Sequence, residues 1–202
     1  MQDFEMPQMA KIDTPAPSWT MPYYDSAKDS DGTLSSTDMQ GKWHVLFYYP
    51  ADFTFVCPTE LKDIADVKGE FDAMWVEMLP VSTDTIFTHK GWVKWGEKLL
   101  ENMQYKMLAD HNGSIADAYN ILDEDSWLAG RGTFIVDPDG ILRWVEVTSG
   151  AQGRNSAELI RKIQGLQFMR ENPGQACPAK WAIGAKTLTP GIDLVGKVNE
   201  NV

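Results

Sequence analysis

The sequence has few of the residues that build disulfide scaffolds and metal centres. Among its 202 residues are only two cysteines, far apart, and three histidines without ligand spacing. A structural zinc site needs four ligands, usually in closely spaced pairs. We therefore expect neither a zinc site nor a small disulfide scaffold, which leaves inert packing or redox chemistry for the cysteines. We interpret His44 as packing within a sheet, and His89 and His111 as surface or loop residues.

Long hydrophobic runs and positive charge are also scarce. No apolar run approaches the roughly 18 residues of a membrane-spanning helix, and the first residues lack the basic and apolar regions of a secretory signal. The formal net charge is −11, which argues against nucleic-acid binding. We expect a cytoplasmic protein that binds neither membranes nor nucleic acids.

What is present is the hydrophobic periodicity of a layered α/β protein. A continuous apolar run from Trp43 predicts a buried strand, and apolar residues at steps of three and four between Leu61 and Met74 predict a helix. Turn-forming residues at 137–140 separate two strand-like runs and predict a hairpin. Other elements follow in the same way: strands at 78–82 and 107–109, and helices at 92–100, 115–119 and 156–169.

The order of these elements, β-α-β-α-β-α-β-β-α, suits a thioredoxin-like fold, in which helices flank a central mixed sheet. We predict one domain over residues 1–202. Residues 1–31 are predicted to be an irregular N-terminal segment, with short strands at best, because Pro and Gly interrupt them. Residues 172–202 are predicted to form an extended tail.

The first cysteine, Cys57, lies where the buried strand gives way to the first helix. Either Pro58 takes the first helical position, or Thr54 begins the helix and Cys57 lies one turn in. In both cases Cys57 is near unpaired N–H groups and the positive end of the helix dipole. Because the thiolate is the nucleophilic form of cysteine, such a place favours reactivity. The alternative is a small apolar side chain that fills the junction.

The run FYYPADFTFVCPTE resembles the active-site signature of peroxiredoxins, whose core is Pro-x-x-x-Thr-x-x-Cys. The resemblance implies that Cys57 is the peroxidatic nucleophile, that Thr54 hydrogen-bonds the peroxide, and that Pro50 shields the sulfur from water. The family also uses an arginine from a distant strand, and Arg131 in RGTFIVDP matches it. Glu60 resembles a residue that orients this arginine. The alternative for Arg131 is an arginine that caps a strand edge or pairs with a surface carboxylate.

The second cysteine, Cys177, follows the last long helix in the run GQACPAKW. This run is similar to the resolving-cysteine region of typical two-cysteine peroxiredoxins, and the later TLTPGIDLVGKV resembles the tail of the bacterial alkyl hydroperoxide reductases within that class. The resemblance implies a disulfide between Cys177 of one protomer and Cys57 of its partner, after Cys57 has become a sulfenic acid. The alternative is an idle tail cysteine.

The resemblance also implies an activity and partners. The chain would reduce hydrogen peroxide and organic hydroperoxides to water and alcohols, in antioxidant defence and redox homeostasis. It would need no metal, haem, flavin or other cofactor, and a flavoprotein or thioredoxin-like disulfide reductase would regenerate it. Homodimers would assemble into a decamer. Two alternatives are a protein disulfide oxidoreductase, which the missing Cys-x-x-Cys disfavours, and a non-enzymatic holdase. Because aromatic residues are enriched at interfaces, five tryptophans are candidates for contacts between protomers: 92, 95, 127, 144 and 181.

Overall fold

A mixed seven-stranded sheet forms the centre of the first of two units, whose boundary in the chain lies between Arg154 and Asn155. The structure is a computed structural model that describes residues 9–200. The strands are β1 (Thr20–Asp25), β2 (Ser30–Ser35), β3 (Trp43–Tyr48), β4 (Val76–Ser82), β5 (Lys106–Ala109), β6 (Leu122–Asp123), β7 (Leu128–Ala129), β8 (Arg131–Val136) and β9 (Leu142–Thr148). The helices are α1 (Cys57–Asp66), α2 (Lys68–Ala73), α3 (Ile86–Gly91), α4 (Ser114–Ala118) and, in the second unit, α5 (Ser156–Glu171).

The strand order β2-β1-β5-β4-β3-β8-β9 places β3 inside the sheet, between β4 and β8. Strands β3, β4 and β5 are parallel, so the loops that follow them leave from the same edge of the sheet. Strand β8 runs antiparallel to β3, with Phe47 opposite Thr133. The end of β3 and the start of β8 are therefore neighbours, which brings residues distant in sequence to one place.

The core of the first unit is packed from both sides of this sheet. All six residues of β3 are buried, as expected of a central strand. Tyr119, next to α4, packs edge-to-face on Phe134 of β8 with ring centroids 4.5 Å apart, a favoured aromatic geometry. The predicted α/β class, with helices flanking a mixed thioredoxin-like sheet, is confirmed.

The structure describes residues 9–31 of the segment that was predicted to be irregular, 1–31. The prediction is wrong from Thr20 onwards. β1 and β2 are six-residue strands that pair with each other, and β1 also pairs with β5. Pro22 is tolerated in β1 because pairing with β5 begins only at Tyr23. Trp19 and Met21 are buried, and this burial outweighs the low strand propensity of the segment. Residues 1–8 of the prediction lie outside the described residues.

The predicted helix over residues 92–100 is displaced. Regular helix begins earlier, at α3, where the Thr85 hydroxyl accepts a hydrogen bond from the Thr88 N–H at 3.2 Å and so caps the N-terminus. One π-helical turn, Trp92–Gly96, and one 3₁₀ turn, Lys98–Leu100, follow. The small hairpin of β6 and β7 was not predicted, because strands of two residues leave no readable period.

The second unit consists of α5 and the segment that follows it. The Asn155 side chain accepts a hydrogen bond from the Ala157 N–H at 2.8 Å and caps α5. Beyond α5, a two-way backbone bridge between Ala176 and Leu188 closes a loop, and Trp181 packs on Phe168 of α5 with centroids 4.9 Å apart. Within residues 9–200, no helix has both the length and the apolar character needed to cross a membrane.

Candidate active site

Cys57 is the first residue of α1 and is fully buried. Pro58 lies in the first turn, so of the two sequence alternatives the helix follows the one that begins beside Pro58. Val56 precedes the helix without a side-chain cap, and its carbonyl accepts the N–H of Thr59 and of Glu60. The sulfur is thus at the end of the helix where backbone dipoles favour negative charge. Both Cys57 and Cys177 are free thiols.

Arg131, the first residue of β8, contacts the sulfur directly. Its Nη1 lies 3.3 Å from Cys57 Sγ and also donates to Glu60 Oε2 at 2.6 Å. Its Nε donates to the Gly150 carbonyl at 2.9 Å. The guanidinium is buried, and these fixed partners hold one N–H towards the sulfur. The structure therefore brings Cys57, Glu60 and Arg131 together, as the family resemblance leads one to expect.

A second arginine, Arg154, completes the cluster, and no sequence pattern predicted it. Its Nε and Nη2 donate to Glu60 Oε1 and Oε2 at 2.8 and 3.2 Å, and its backbone N–H donates to Oε1 at 2.9 Å. The buried carboxylate of Glu60 therefore lies between two guanidinium groups. No local motif marks Arg154, which is 94 residues from Glu60 in the chain.

Arg154, the last residue of the first unit, has further contacts within that unit. Its Nη1 donates to the Gly132 carbonyl and to the Thr133 hydroxyl, both at 3.0 Å, and its Cζ lies 3.4 Å from the centre of the Phe47 ring. Burial lowers the pKa of the Arg154 guanidinium, and the hydrogen bonds and charge of Glu60 oppose that change. Arginine stays charged in proteins, so Arg154 contributes a fixed positive charge.

Thr54 and Pro50 lie on the loop between β3 and α1 and are both half-buried. The Thr54 hydroxyl donates to the Ala51 carbonyl at 2.8 Å. A hydroxyl that donates still has lone pairs that accept hydrogen bonds, so Thr54 can receive one from a ligand. Phe53, between Asp52 and Thr54, has a φ of 55°, a left-handed backbone conformation rare outside glycine.

The three histidines divide between confirmed and wrong predictions. His44 is buried within β3, as predicted for sheet packing. His89, predicted to be a surface or loop residue, is fully buried in α3, because it has polar partners on both ring nitrogens. His111 is exposed and lies in a turn, as predicted for a surface or loop residue, with Nδ1 at 3.2 Å from the Thr83 carbonyl. In the part of the chain that the structure describes, no three His, Cys, Asp or Glu residues gather as a metal site.

Cys177 belongs to the second unit and directly follows the Ala176–Leu188 bridge. Its thiol is half-buried, and burial raises its pKa. Of the five tryptophans considered for contacts between protomers, Trp92 and Trp181 are buried. Trp95 and Trp127 are 79% and 53% exposed, and so are available for contacts.

The charges of the cluster are complementary to a thiolate. Two guanidinium groups and one carboxylate carry one net positive charge when Cys57 is a thiol, and none when it is a thiolate. An uncompensated buried charge is costly, and a thiolate at Cys57 would leave none in this cluster. Guanidinium N–H groups also bind oxygen atoms that gain negative charge. The arrangement can therefore support nucleophilic attack on an electron-poor oxygen.

Comparison with known proteins identifies the family. The model of the AhpC/TSA family matches residues 12–145. The chain is 46% identical to alkyl hydroperoxide reductase C of Bacillus subtilis (strain 168) over 165 residues, which cover 82% of this chain and 88% of the relative. It is 40% identical to that of Amphibacillus xylanus, covering 94% of this chain and 100% of the relative.

Solved structures agree with the sequence relatives. Reduced Plasmodium vivax 2-Cys peroxiredoxin has a TM-score of 0.85 at 30% identity, covering 90% of this chain and 94% of that one. Enterococcus faecalis AhpC has a TM-score of 0.79 at 36% identity, covering 84% and 100%. Family match, identity and fold thus lead to the same conclusion: the chain belongs to the AhpC/TSA family, and it is a two-cysteine peroxiredoxin.

Proposed function

We propose that the chain is a thiol peroxidase that reduces hydrogen peroxide and organic hydroperoxides, with Cys57 as its nucleophile. The observation that carries this proposal is the 3.3 Å contact between Arg131 Nη1 and the Cys57 sulfur, within a buried cluster that a thiolate makes neutral. The relatives named alkyl hydroperoxide reductase C support the same substrate class. Residues 1–202 would act together as one peroxiredoxin domain.

In the first step, the Cys57 thiolate attacks one oxygen of the peroxide. An S–O bond forms as the O–O bond breaks, so the sulfur is oxidised to a sulfenic acid and the peroxide is reduced. The departing oxygen takes up a proton and leaves as water or an alcohol. In this proposal Arg131 stabilises both the thiolate and the charge on the reacting oxygens. Glu60 and Arg154 position Arg131.

The loop before α1 supplies the other proposed contacts. The Thr54 hydroxyl accepts a hydrogen bond from the peroxide and so aligns the O–O bond with the sulfur, while its own O–H continues to donate to the Ala51 carbonyl. Pro50 has no N–H group with which to hold water and is half-buried next to the end of β3. These roles agree with those implied by the peroxiredoxin signature.

In the second step, Cys177 of one protomer attacks the sulfenic sulfur of Cys57 in its dimer partner. The attack releases water and forms a disulfide between the two protomers. Two-electron reduction by a disulfide reductase, either a flavoprotein or a thioredoxin-like protein, restores both thiols by exchange.

The edge of the sheet supports the proposed dimer. β9 is an edge strand, and its outer side pairs with no strand among residues 9–200. Exposed edges of this kind present unpaired backbone N–H and C=O groups to another chain. Val145 and Val147 on β9 are 37% and 56% exposed, which gives the edge apolar side chains to bury. We propose antiparallel pairing of two β9 strands as the dimer contact.

An aromatic surface beside the active-site loop supports the proposed decamer. Phe87 and Trp95 are each 79% exposed, and Phe53 on the loop is also exposed. The Phe53 ring packs on Trp92 with centroids 6.1 Å apart, which links the loop to the π-helical turn. We name Phe53, Phe87 and Trp95 the loop-side patch. Large exposed aromatic residues in one region are typical of protein interfaces, and we propose that five dimers join through them.

The proposed place of action is the cytoplasm, where reducing systems keep thiols available for each new cycle. There the chain would serve antioxidant defence. The test is the reaction of reduced protein with hydrogen peroxide and with cumene hydroperoxide in a stopped-flow instrument, beside Cys57→Ser. Rapid oxidation of the parent and none of the variant supports the proposal. Equal peroxide consumption by both would refute Cys57 as the nucleophile.

A further inference from the structure

A buried histidine, which the peroxidase chemistry above does not use, lies behind the active-site loop. His89 of α3 is fully buried, with Nδ1 at 2.8 Å from Asp52 Oδ2 and Nε2 at 3.1 Å from the Leu108 carbonyl. The other oxygen of Asp52 accepts the Tyr49 hydroxyl at 2.7 Å. Buried polar groups of this kind are retained only when every one of them has a partner, and here each has one.

The hydrogen-bonding partners determine where the protons are. A backbone carbonyl only accepts hydrogen bonds, so His89 Nε2 carries a proton and donates a hydrogen bond to the Leu108 carbonyl. One further proton lies between His89 Nδ1 and Asp52 Oδ2, either on the imidazole beside a carboxylate or on the carboxyl beside a neutral imidazole. Both arrangements leave the pair neutral, which avoids an uncompensated buried charge. Burial raises the pKa of Asp52, and the hydrogen bond from His89 opposes that rise.

Asp52 connects this pair to the reacting groups. It lies two residues after Pro50 and two before Thr54, and its backbone N–H donates to Asp84 Oδ2 at 2.8 Å. Asp84 is in turn held by the Ser82 hydroxyl at 2.8 Å. The side chain of Asp52 is therefore held by α3, and its backbone is held by the loop after β4.

The next residue shows why such fixing is needed. Phe53 has a φ of 55°, a conformation that a bulky residue keeps only when its surroundings impose it. Immediately after it, the Thr54 hydroxyl bonds back to Ala51 across the same turn. If Asp52 were released, Phe53 could relax, and the Thr54 hydroxyl would move away from its present place.

We propose that His89 is a positioning residue for the peroxidase reaction: through Asp52 it holds the strained turn at Phe53, and with it the Thr54 hydroxyl, in the arrangement that binds peroxide. This inference rests on the proposed function, because it assigns His89 its effect through Thr54. His89 touches neither the peroxide nor Cys57 in this scheme. Its contribution is the geometry of the loop.

Two isosteric substitutions separate positioning from general stability. In His89→Asn the amide stands where Nδ1 was, and it can donate to a carboxylate or accept from a carboxyl of Asp52. In His89→Gln the amide reaches the position of Nε2, so it can donate a hydrogen bond to the Leu108 carbonyl but cannot reach Asp52. Both variants remove the imidazole, so a merely structural role predicts similar losses. The positioning role predicts that only His89→Asn rescues the reaction.

The readout compares two reactions of Cys57 in the reduced full-length protein. Hydrogen peroxide needs the Thr54 hydroxyl, whereas alkylation by iodoacetamide needs only an accessible thiolate. In His89→Gln the peroxide rate constant should fall about 10- to 100-fold, the range that misplacement of a reacting group by about 1 Å produces. Its alkylation should be unchanged or faster. His89→Asn should react with peroxide at least about ten times faster than His89→Gln.

Tyr49→Phe is a milder variant that removes only the hydroxyl that donates to Asp52. It should slow the peroxide reaction to a smaller extent without slowing alkylation. Equal peroxide rates in the two His89 variants, parallel loss of peroxide and alkylation rates, or a parental peroxide rate in Tyr49→Phe would overturn the positioning role. A parent protein that does not react with peroxide would instead refute the proposed function itself.

Discussion

Replacing each arginine of the active-site cluster separately distinguishes the residue that acts on the sulfur from the residue that supports it. Arg131 contacts Cys57 through one N–H and Glu60 through the same nitrogen. Arg154 makes three hydrogen bonds to Glu60 and does not donate to the sulfur. Arg131→Gln should therefore mainly reduce the rate, whereas Arg154→Gln should mainly reduce stability.

The magnitudes follow from the contacts. A hydrogen bond to a charged group contributes about 1.5–3 kcal/mol, so loss of the Arg131 contact should slow the peroxide reaction about 10- to 160-fold. The fold should survive, because Glu60 keeps Arg154 as its ion-pair partner. Arg154→Gln leaves Glu60 one guanidinium contact and removes the bonds to Gly132 and Thr133. Two hydrogen bonds to the Glu60 carboxylate are lost with them, so at about 1.5–3 kcal/mol for each bond to a charged group the variant should lose about 3–6 kcal/mol of stability.

Two assays measure the two effects. Stopped-flow mixing of reduced protein with hydrogen peroxide gives the second-order rate constant, and urea unfolding followed by circular dichroism gives the stability. All variants are compared at one protomer concentration, because assembly contributes to apparent stability. The reasoning is refuted if Arg131→Gln reacts within about twofold of the parent, or if Arg154→Gln is as stable as the parent and slower than Arg131→Gln.

Substitutions at three other positions test the loop and the proposed interfaces. Thr54→Val, which loses the hydroxyl, should slow the peroxide reaction about 10- to 100-fold while Thr54→Ser stays closer to the parent; equal rates for the two in stopped flow would argue against the hydroxyl. Val147→Lys places a charge on the β9 edge, where charges block strand pairing, and should shift dimers to monomers in sedimentation velocity; an unchanged dimer would move the contact elsewhere. Phe87→Asp should dissociate decamers into dimers that still form the peroxide-induced disulfide, because the loop-side patch is not part of the β9 edge; decamers that persist would exclude the patch as the ring contact.

The part of the site that the sequence predicts is the part that is local. Pro50, Thr54 and Cys57 lie within eight residues on one loop and one helix start, so their spacing carries the signature. The two alternatives for the start of α1 differed by one turn, and the buried first turn at Pro58 decides between them. Arg131 was found only because the peroxiredoxin resemblance directs attention to a distant strand.

Arg154 and His89 could not be predicted because their partners come from the sheet topology. The antiparallel pairing of β8 with β3 is what brings Gly132 and Thr133 near the active-site edge, where Arg154 binds them. No residue near His89 in the sequence indicates that its partner is Asp52, which is 37 residues away. Burial of both becomes favourable only once each polar atom has its partner.

The central claim is that peroxide oxidises Cys57, which then forms a disulfide with Cys177 of another protomer. The most direct test treats reduced protein with one equivalent of hydrogen peroxide and separates the products on a non-reducing denaturing gel, beside Cys57→Ser and Cys177→Ser. We predict a rapid dimer band in the parent that is absent from both variants. A parent that stays monomeric with both thiols still titratable would contradict the claim.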